Sequence, residues 1–127
     1  MEDRYRSASP YEELVGFARA VRRGRRIIVS GTAPIGPDGE TVEGDAYVQA
    51  SRCLEVILEA VEALGGRRED VVRTRMFVVD AADWDAVGRA HGETFGAVYP
   101  AATMVVVKEL LDPKWRIEIE AEAIVGD

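Results

Sequence analysis

Cysteine and histidine are almost absent from this 127-residue sequence, which has one of each, Cys53 and His91. A single cysteine cannot form a disulfide within the chain or close a cysteine-based zinc site. A single histidine excludes a catalytic zinc site built from several histidines. We therefore expect no metal, no cofactor and a reducing compartment, with the cytoplasm as the default location.

Long hydrophobic runs are missing as well. No apolar segment approaches the roughly 18 to 20 residues that a membrane span needs. The N-terminus, from Met1 to Ser9, is charged and contains no apolar stretch of the kind that signal peptides have. The sequence thus predicts a protein that has no membrane partner.

Basic residues are outnumbered by acidic ones, 16 Lys and Arg against 23 Asp and Glu, for a formal net charge of -7. This acidic excess disfavours non-specific binding to the phosphates of nucleic acids. The serine-nucleophile elbow, the Walker A loop and the dinucleotide fingerprint are all absent from the sequence. Without these motifs, covalent catalysis has little support. Because of the acidic excess, we expect no nucleic-acid partner.

Arginine is the abundant basic residue, and five of the 14 arginines fall between Arg19 and Arg26. The planar guanidinium fork suits carboxylates and phosphates, so this cluster is a candidate anion-binding patch. The alternative is a solvated hairpin, which is the usual role of a run of charges. The sequence alone leaves both interpretations open.

The chain length indicates one domain, residues 1–127, that is large enough to bury its own core. Residues 1–10 are polar and are predicted to form a loose N-terminal segment. Two strands are predicted next, at 15–22 and 25–33, around a turn at Gly24.

Two helices are predicted from apolar residues that recur three and four positions apart. The first begins after Asp45, a suitable N-cap, and ends at Gly65. Cys53 lies on its apolar stripe, which predicts a buried structural thiol. The second helix spans 84–98, and its apolar face begins with Trp84. It carries three glycines four residues apart, which predicts close packing of its backbone against another element, such as the sheet.

The last segment, 115–125, alternates strictly between apolar and polar residues. This period of two predicts a strand with one buried face and one polar face. With further strands at 71–80 and 103–110, the order becomes β-β-α-β-α-β-β. The sequence thus predicts an α+β fold, a mixed sheet with both helices packed on one face.

Glu118, Glu120 and Glu122 share the polar face of the last strand and would repel one another if left alone. Arg73 and Arg75 share a face of the strand at 71–80, so cross-strand ion pairs could relieve the repulsion. One alternative is an exposed charge ladder, worth about 0 to 1 kcal/mol per pair. The other is a face buried against a second subunit, where a perturbed carboxylate could activate water.

His91 lies on or beside the apolar stripe of the second predicted helix. It is either a partly buried structural histidine or a candidate general acid or base, because the ordinary pKa of histidine lies near neutrality. Ser30 and Gly31 follow a buried strand, in a position where loop residues often line a site.

Several short motifs, taken in order along the chain, resemble those of the Rid proteins, the YjgF and endoribonuclease L-PSP family. The resemblance covers the chain from Tyr11 onward, and the order, spacing and total length of the motifs make it specific. The motifs are Ile28-Val29-Ser30-Gly31, Leu64-Gly65-Gly66, Asp70-Val71-Val72, Thr74 to Asp80, Tyr99-Pro100-Ala101 and Ile117 to Ala121.

The resemblance implies a fold like that of the Bacillus-type chorismate mutase, a homotrimer, and small-molecule sites in clefts between the subunits. Family members with deaminase activity hydrolyse reactive enamines and imines of amino-acid metabolism to keto acids and ammonia. In those members an arginine forks onto the substrate carboxylate and a glutamate positions the water. The resemblance makes Glu118 that catalytic glutamate, and it places Ser30 and Gly31 in the ligand-binding site.

Other ligand-binding positions depart from the family pattern. Ala102 stands where the arginine is expected, and Met104 stands where a cysteine is common. Gly88 replaces an asparagine of the second helix, and Phe17 replaces a tyrosine of the site. Thr103, between Ala102 and Met104, is predicted to line the site with them.

A site without that arginine forfeits roughly 1.5 to 3 kcal/mol of carboxylate binding. Arg75 and His91 are the nearest substitutes in the sequence, and they would contact a different ligand. We therefore expect weak or no activity on standard 2-imino acids.

Three functions stay open at this point. In the first, the clefts hydrolyse an imine-like, enamine-like or other small metabolite, with Glu118 aligning water. In the second, the same trimer binds a small molecule without turnover. The third, a ribonuclease or translation inhibitor, comes from the family's naming. The net charge and the lack of base-stacking aromatics beside a basic groove weigh against this third function.

Overall fold

Six strands form one mixed sheet in the computed structural model, which describes residues 3–126. They are β1 (Arg4–Tyr5), β2 (Ala20–Arg23), β3 (Arg26–Thr32), β4 (Val71–Val78), β5 (Ala101–Val106) and β6 (Ile117–Ile124). Their order across the sheet is β1-β2-β3-β6-β4-β5. Neighbouring strands are antiparallel, except that β4 and β5 run parallel. The predicted hairpin of β2 and β3 turns at Gly24, which has φ +58°.

Three α-helices accompany the sheet in the described residues: α1 (Tyr11–Val15), α2 (Ala46–Ala63) and α3 (Trp84–Phe95), with 3₁₀ turns at Arg68–Asp70 and Ala81–Asp83. The side chains that β6 directs toward α2 and α3 are buried, with Ile117 and Ile119 at 0% exposure. The predicted α+β fold is therefore confirmed. We call the other face of the sheet, which carries Glu118, the open face.

None of the helices in residues 3–126 combines the length and the apolar character that crossing a membrane requires.

The N-terminal segment expected to be loose contains β1, which pairs with β2. Tyr5 lies opposite Ala20, and the Arg19 N–H donates to the Tyr5 carbonyl oxygen at 2.8 Å. These bonds tie the segment to the edge of the sheet, whereas Met1 and Glu2 lie outside the described residues. A strand of two residues is too short for a sequence period to reveal it.

The strand expected at 15–22 begins only at Ala20, because the residues before it form α1. Glu12 and Glu13 occupy the first turn of this helix, where carboxylates interact favourably with the helix dipole. Gly16 ends the helix with φ +92°, a left-handed conformation that glycine adopts without a steric penalty. One and a half turns cannot display an amphipathic period, so the sequence pattern did not predict α1.

α2 follows its prediction closely. The carboxylate of Asp45 caps the helix by accepting a hydrogen bond from the Val48 N–H at 3.0 Å. Cys53 is fully buried on the apolar stripe, and this burial raises the pKa of its thiol far above the ordinary value. The prediction of a buried structural thiol is confirmed.

α3 begins at Trp84 as predicted but ends at Phe95 rather than at residue 98. The Asp83 side chain makes no capping hydrogen bond, and its carboxylate lies 3.7 Å from the Arg116 guanidinium. Trp84 is 63% exposed, so its predicted place on the apolar face is wrong.

The glycines Gly88 and Gly92 of α3 do not pack against another element of this chain. A Cβ built on either residue would have no other atom within 4 Å. The buried side chains of α3 are Val87, Ala90 and Phe95. Gly88 follows Val87 by one position, or about 100° of helix rotation, which turns it away from the core. The prediction of close packing is therefore wrong for these two glycines within one chain.

Candidate functional site

A row of acidic side chains runs along the open face. β6 presents Glu118, Glu120 and Glu122 there, because its alternate residues are buried in the core. On the neighbouring strand β4, Arg75 lies opposite Glu120 and Phe77 lies opposite Glu118. The strand register therefore gives Glu120 a basic neighbour and gives Glu118 an aromatic one.

Ion pairs connect most of this row to basic side chains. The Arg75 guanidinium lies 2.8 Å from Glu120 and 3.6 Å from Glu122. Arg26 lies 3.0 Å from Glu122, and Arg73 lies 4.0 Å from it. Because these groups are partly exposed, each pair contributes about 0 to 1 kcal/mol. The cross-strand pairing considered from the sequence is present, and it engages Arg75, one of the predicted ligand contacts.

Glu118 differs from its two neighbours. Its carboxylate makes no hydrogen bond or ion pair with any residue from 3 to 126. It lies directly over Gly31 of β3, where a Cβ would overlap the Glu118 Oε2 atom. Burial raises the pKa of Glu118, the charge of Arg19 lowers it in part, and the charge of Glu120 raises it. A half-buried carboxylate with a raised pKa is a suitable acceptor for a proton of water.

Arg19 is the basic residue whose charge acts on Glu118, and in the sequence it is one of five arginines in the 19–26 cluster. Its side chain is 3% exposed. Nε donates a hydrogen bond to the Glu12 carboxylate at 3.1 Å, and the terminal nitrogen donates to the Gly31 carbonyl oxygen and to Thr32 Oγ1, the latter at 3.2 Å. Arg19 thereby holds the backbone of the residue over which the Glu118 side chain lies.

The arginine cluster at 19–26 divides into two environments. Arg19 is buried, whereas Arg23 and Arg26 are exposed on the hairpin. The interpretation as a solvated hairpin therefore fits the exposed members and fails for Arg19. No local pattern distinguishes Arg19, because its partner Glu12 belongs to α1, an element that the sequence did not predict.

Two predicted site residues, Phe17 and Ser30, adjoin Arg19. The Arg19 guanidinium carbon lies 5.3 Å from the centroid of the Phe17 ring. The Ser30 N–H donates to the Arg19 carbonyl oxygen at 2.9 Å, and the Ser30 hydroxyl donates to the Ala18 carbonyl oxygen at 2.8 Å. Phe17 also lines a surface pocket of about 630 Å³. The structure therefore brings Phe17 and Ser30 together with Gly31.

The predicted site residues of β5 lie at the edge of the sheet. Ala102 pairs with Thr74 of β4, and Thr103 pairs with Arg75. Paired residues of neighbouring strands share a face, so Ala102 lies on the helix-covered face and Thr103 lies on the open face. Met104 is two positions beyond Ala102 and shares its face.

His91 points from α3 toward the helix-covered face of the sheet. Its Nε2 atom lies 2.8 Å from the hydroxyl of the buried Thr74, and its ring lies 5.0 Å from that of Phe95. Burial lowers the pKa of His91, so the imidazole is mainly neutral at pH 7. Gly88 is one turn earlier on α3, with open space beside it. Within one chain, His91 and Glu118 lie on opposite faces of the sheet.

The predicted site residues thus form two groups in one chain. The first group lies on or beside the open face and contains Phe17, Ser30, Gly31, Arg75, Thr103 and Glu118. The second group lies on the helix side and contains Gly88, His91, Ala102 and Met104. Ala102 and His91 are separated from Glu118 by the sheet itself, so a single chain does not bring these three together. That all of them line one ligand cleft stays a prediction.

Metal ligands are not grouped in the part of the chain that the structure describes. No three His, Cys, Asp or Glu side chains in residues 3–126 are arranged to hold a metal ion. The expectation of a protein without metal or cofactor stays a prediction.

The fold and the candidate site define a class of small α+β proteins, with two main helices on one face of a mixed six-stranded sheet and a glutamate on the other. The sequence profile described as Endoribonuclease L-PSP matches residues 7–125. The chain therefore belongs to the endoribonuclease L-PSP family, also called the YjgF or Rid family, as the resemblance indicated.

Two relatives illustrate the range of the family. An uncharacterized protein of Streptomyces coelicolor is 42% identical over 123 residues, which cover 97% of this chain and 92% of the relative. The 2-iminobutanoate/2-iminopropanoate deaminase of Escherichia coli K12 is 36% identical over 112 residues, which cover 85% of this chain and 86% of the relative.

Solved structures agree with the fold. A crystal structure of a member of the YjgF/YER057c/UK114 family from Mycobacterium tuberculosis superposes with a TM-score of 0.87 and 38% sequence identity. The superposition covers 96% of this chain and 98% of that one. This protein therefore has the same fold as that family member.

Proposed function

We propose that this protein hydrolyses small imines or enamines in clefts between the subunits of a homotrimer, with Glu118 aligning the attacking water. The observation that carries the proposal is the Glu118 carboxylate, which is half-buried, has no partner within residues 3–126, and has a pKa raised by burial. The relative named 2-iminobutanoate/2-iminopropanoate deaminase supports hydrolysis of a C=N bond as the reaction class.

In the proposed reaction, the water oxygen attacks the imine carbon while Glu118 accepts a proton from the water. Glu118 then passes this proton to the nitrogen, which gives a carbinolamine. The hydroxyl proton of the carbinolamine also moves to the nitrogen, and the C–N bond breaks to give a carbonyl group and ammonia. Arg19 contributes by holding the Gly31 backbone beneath Glu118. None of these steps needs a metal or a redox cofactor.

Two features of β5 support the trimer. The strand lies at the edge of the sheet, where Val105 is 42% exposed and Val106 is 57% exposed. Unpaired edges and exposed apolar side chains favour association with another copy. Ala102 and Glu118 are on opposite faces of one sheet, so a shared cleft requires the β5 region of one subunit to meet the open face of another. Sedimentation equilibrium should give three times the chain mass of 13.9 kDa.

The test of the hydrolase uses imines generated in place by a flavin amine oxidase or amino-acid oxidase, with ammonia release as the readout. Glu118→Gln should lower kcat by roughly 100-fold or more while leaving the circular dichroism spectrum unchanged. Glu62→Gln, at an exposed position of α2, is the matched control and should retain full activity. Unchanged turnover in Glu118→Gln would overturn the proposal.

A trimer that binds a small molecule without turnover is the second candidate. The observation that favours it is that both proposed substitutes for the missing arginine are already engaged, Arg75 with Glu120 and His91 with Thr74, each at 2.8 Å. This candidate predicts thermal stabilisation by a ligand with no product formed.

The proposed site also bears on the remaining expectations. We propose no ribonuclease activity, because a net charge of -7 opposes binding of the phosphate backbone. Cleavage of RNA that depends on Glu118 would contradict this proposal.

We further propose a cytoplasmic location, which the single buried thiol Cys53 supports. Fractionation of cells, followed with an antibody to the protein, tests this location.

A further inference from the structure

Two of the three open-face glutamates of β6 are paired with arginines, and the third, Glu118, is not. Glu120 pairs with Arg75, and Glu122 pairs with Arg26 and Arg73. Glu118 has no such pair within residues 3–126. A carboxylate that is partly withdrawn from water and lacks a cationic partner favours a ligand that supplies one.

The buried cation beside this position cannot serve as a carboxylate clamp for a ligand. Arg19 donates hydrogen bonds to Glu12, to the Gly31 carbonyl oxygen and to Thr32 Oγ1, and its side chain is 3% exposed. Turning the guanidinium toward a ligand would leave the buried Glu12 carboxylate with only the largely exposed Arg6, 3.3 Å away, as its cationic partner. Losing the buried partner of a buried charge costs several kcal/mol.

Among the described residues, β5 and the residue before β6 add no uncommitted cation near Glu118. β5 contains no basic residue, and its open-face positions are Ala101, Thr103 and Val105. Arg116 precedes Glu118 on the polar side of β6, but its guanidinium lies 3.7 Å from Asp83. Arg89, next to Gly88 on α3, is also engaged, with its guanidinium carbon 3.9 Å from the centroid of the Tyr47 ring. A ligand carboxylate would therefore meet the Glu118 charge with none of these basic groups uncommitted.

We propose that the Glu118 site takes small imines that lack a carboxylate and that bind as iminium cations. This inference rests on the proposed function and names its substrate class. An iminium presents a planar N–H donor with positive charge, which a carboxylate binds with short, charge-assisted hydrogen bonds. The exposed apolar surface of β5 and the Phe17 ring suit a hydrocarbon substituent at the imine carbon.

The reaction balances without a further reactant. The water oxygen forms a bond to the iminium carbon, and the carboxylate of Glu118 takes a proton from that water. This proton then passes to nitrogen, the C–N bond breaks, and its electron pair leaves with the nitrogen as ammonia. The hydroxyl proton passes to that ammonia as the carbonyl group forms. The products are an aldehyde or ketone and an ammonium ion.

The binding test uses two stable compounds, one that resembles the iminium cation and one of similar shape that carries a negative charge. Benzamidinium has the planar, cationic C–N group, and benzoate has the same shape with a negative charge. Calorimetric titration should show benzamidinium binding to the unmodified protein and no benzoate binding. Glu118→Gln should weaken benzamidinium binding roughly tenfold or more, and Glu62→Gln should leave it unchanged. Tighter binding of benzoate, or benzamidinium binding that survives Glu118→Gln, would overturn the inference, as would no binding of either.

A turnover test separates this inference from the proposed function. Matched imines are generated in place from phenethylamine and from phenylalanine, which differ by one carboxylate. Faster ammonia release from the phenethylamine imine would support both the proposed hydrolase function and the inferred preference for imines without a carboxylate. Faster ammonia release from the phenylalanine imine would support the proposed hydrolase but would overturn the inference that its substrates lack a carboxylate. If benzamidinium binds through Glu118 but neither imine is hydrolysed, the site takes cationic ligands as inferred, and the proposed hydrolase function is overturned.

Discussion

Arg19 and Glu12 form an ion pair that is almost completely withdrawn from water, with 3.1 Å between Nε and Oε2 and side-chain exposures of 3% and 0%. The same carboxylate accepts the Ser7 N–H at 2.9 Å. Because Arg19 also donates to the Gly31 carbonyl oxygen, the pair links α1 to Gly31, the β3 residue over which the Glu118 side chain lies. The N-terminal segment thus supports the position of Glu118.

Removing one member of the Arg19–Glu12 pair should destabilise the fold strongly. Arg19→Met removes the buried counter-ion of Glu12 and leaves only the largely exposed Arg6, 3.3 Å away. We expect a loss of about 3 to 5 kcal/mol in the free energy of unfolding, measured in urea. The double variant Glu12→Leu with Arg19→Met should lose less than Arg19→Met alone, because no charge then remains buried. Arg23→Met, on the exposed hairpin, is the control and should change stability by about 0.5 kcal/mol or less. A similar small loss in Arg19→Met would contradict the prediction.

Gly31→Ala should impair the site more than the fold. The added Cβ overlaps Oε2 of Glu118, and the flexible end of that side chain can rotate away to relieve the contact. A displaced carboxylate should reduce imine hydrolysis by up to roughly 100-fold, while the melting temperature changes little. Gly92→Ala, which has open space around the new Cβ, is the matched control and should keep full activity. Equal activity in both variants would show that the contact between Gly31 and Glu118 is unimportant.

Glu118 should make the stability of the protein depend on pH in a defined direction. Burial raises the pKa of Glu118 above about 4.5, an effect that Arg19 partly offsets and Glu120 reinforces, with the neutral Phe77 and Gly31 alongside. Because the folded pKa is the higher one, the neutral carboxyl stabilises the fold. That contribution is complete below the unfolded pKa and is lost as pH rises through the folded pKa.

Urea unfolding of the unmodified protein and of Glu118→Gln from pH 4 to 8 measures this dependence. The unfolding free energy of the unmodified protein should fall relative to that of the variant as pH rises. Hydrolysis should increase over the same range, because the carboxylate form accepts the proton of water. A difference between the two proteins that stays constant with pH would rule out a raised pKa at Glu118.

Ala102→Arg should confer activity on 2-iminopropionate. The unmodified protein has a methyl group where a carboxylate-binding guanidinium is expected, so we predict weak or no turnover of this imine. The variant should recover roughly tenfold or more in kcat/KM, followed as pyruvate formation with lactate dehydrogenase. Ala101→Arg directs the same group to the opposite face of β5 and should gain nothing. Full activity in the unmodified protein would show that Ala102 does not define this site.

Much of the fold could be predicted from local patterns. The strict alternation around Glu118 predicted both faces of β6, and the stripe that contains Cys53 predicted α2 together with its cap at Asp45. These elements are long, so their periods repeat several times. β1 and α1 are too short for any period. The region of β1 was therefore assigned to a loose segment, and α1 was not predicted at all.

The candidate site was only half predictable. The family pattern identified Glu118 and Gly31, which the structure brings into contact. The burial of Arg19 escaped prediction because its partner Glu12 and its acceptors at Gly31 and Thr32 are separate in sequence and meet only after folding. Likewise, no pattern showed that His91 faces away from Glu118.

Four properties could be predicted from the sequence alone: the class of secondary structure, the acidic character of the chain, the buried thiol and the family. These properties depend on composition and on short repeats, which act locally. Which charges are compensated depends instead on the tertiary structure. It pairs Arg75 with Glu120 and buries Arg19 against Glu12, leaving Glu118 without an ion pair within residues 3–126. Electrostatic energy depends on distance and on exclusion of water, and both are set only when distant segments pack together.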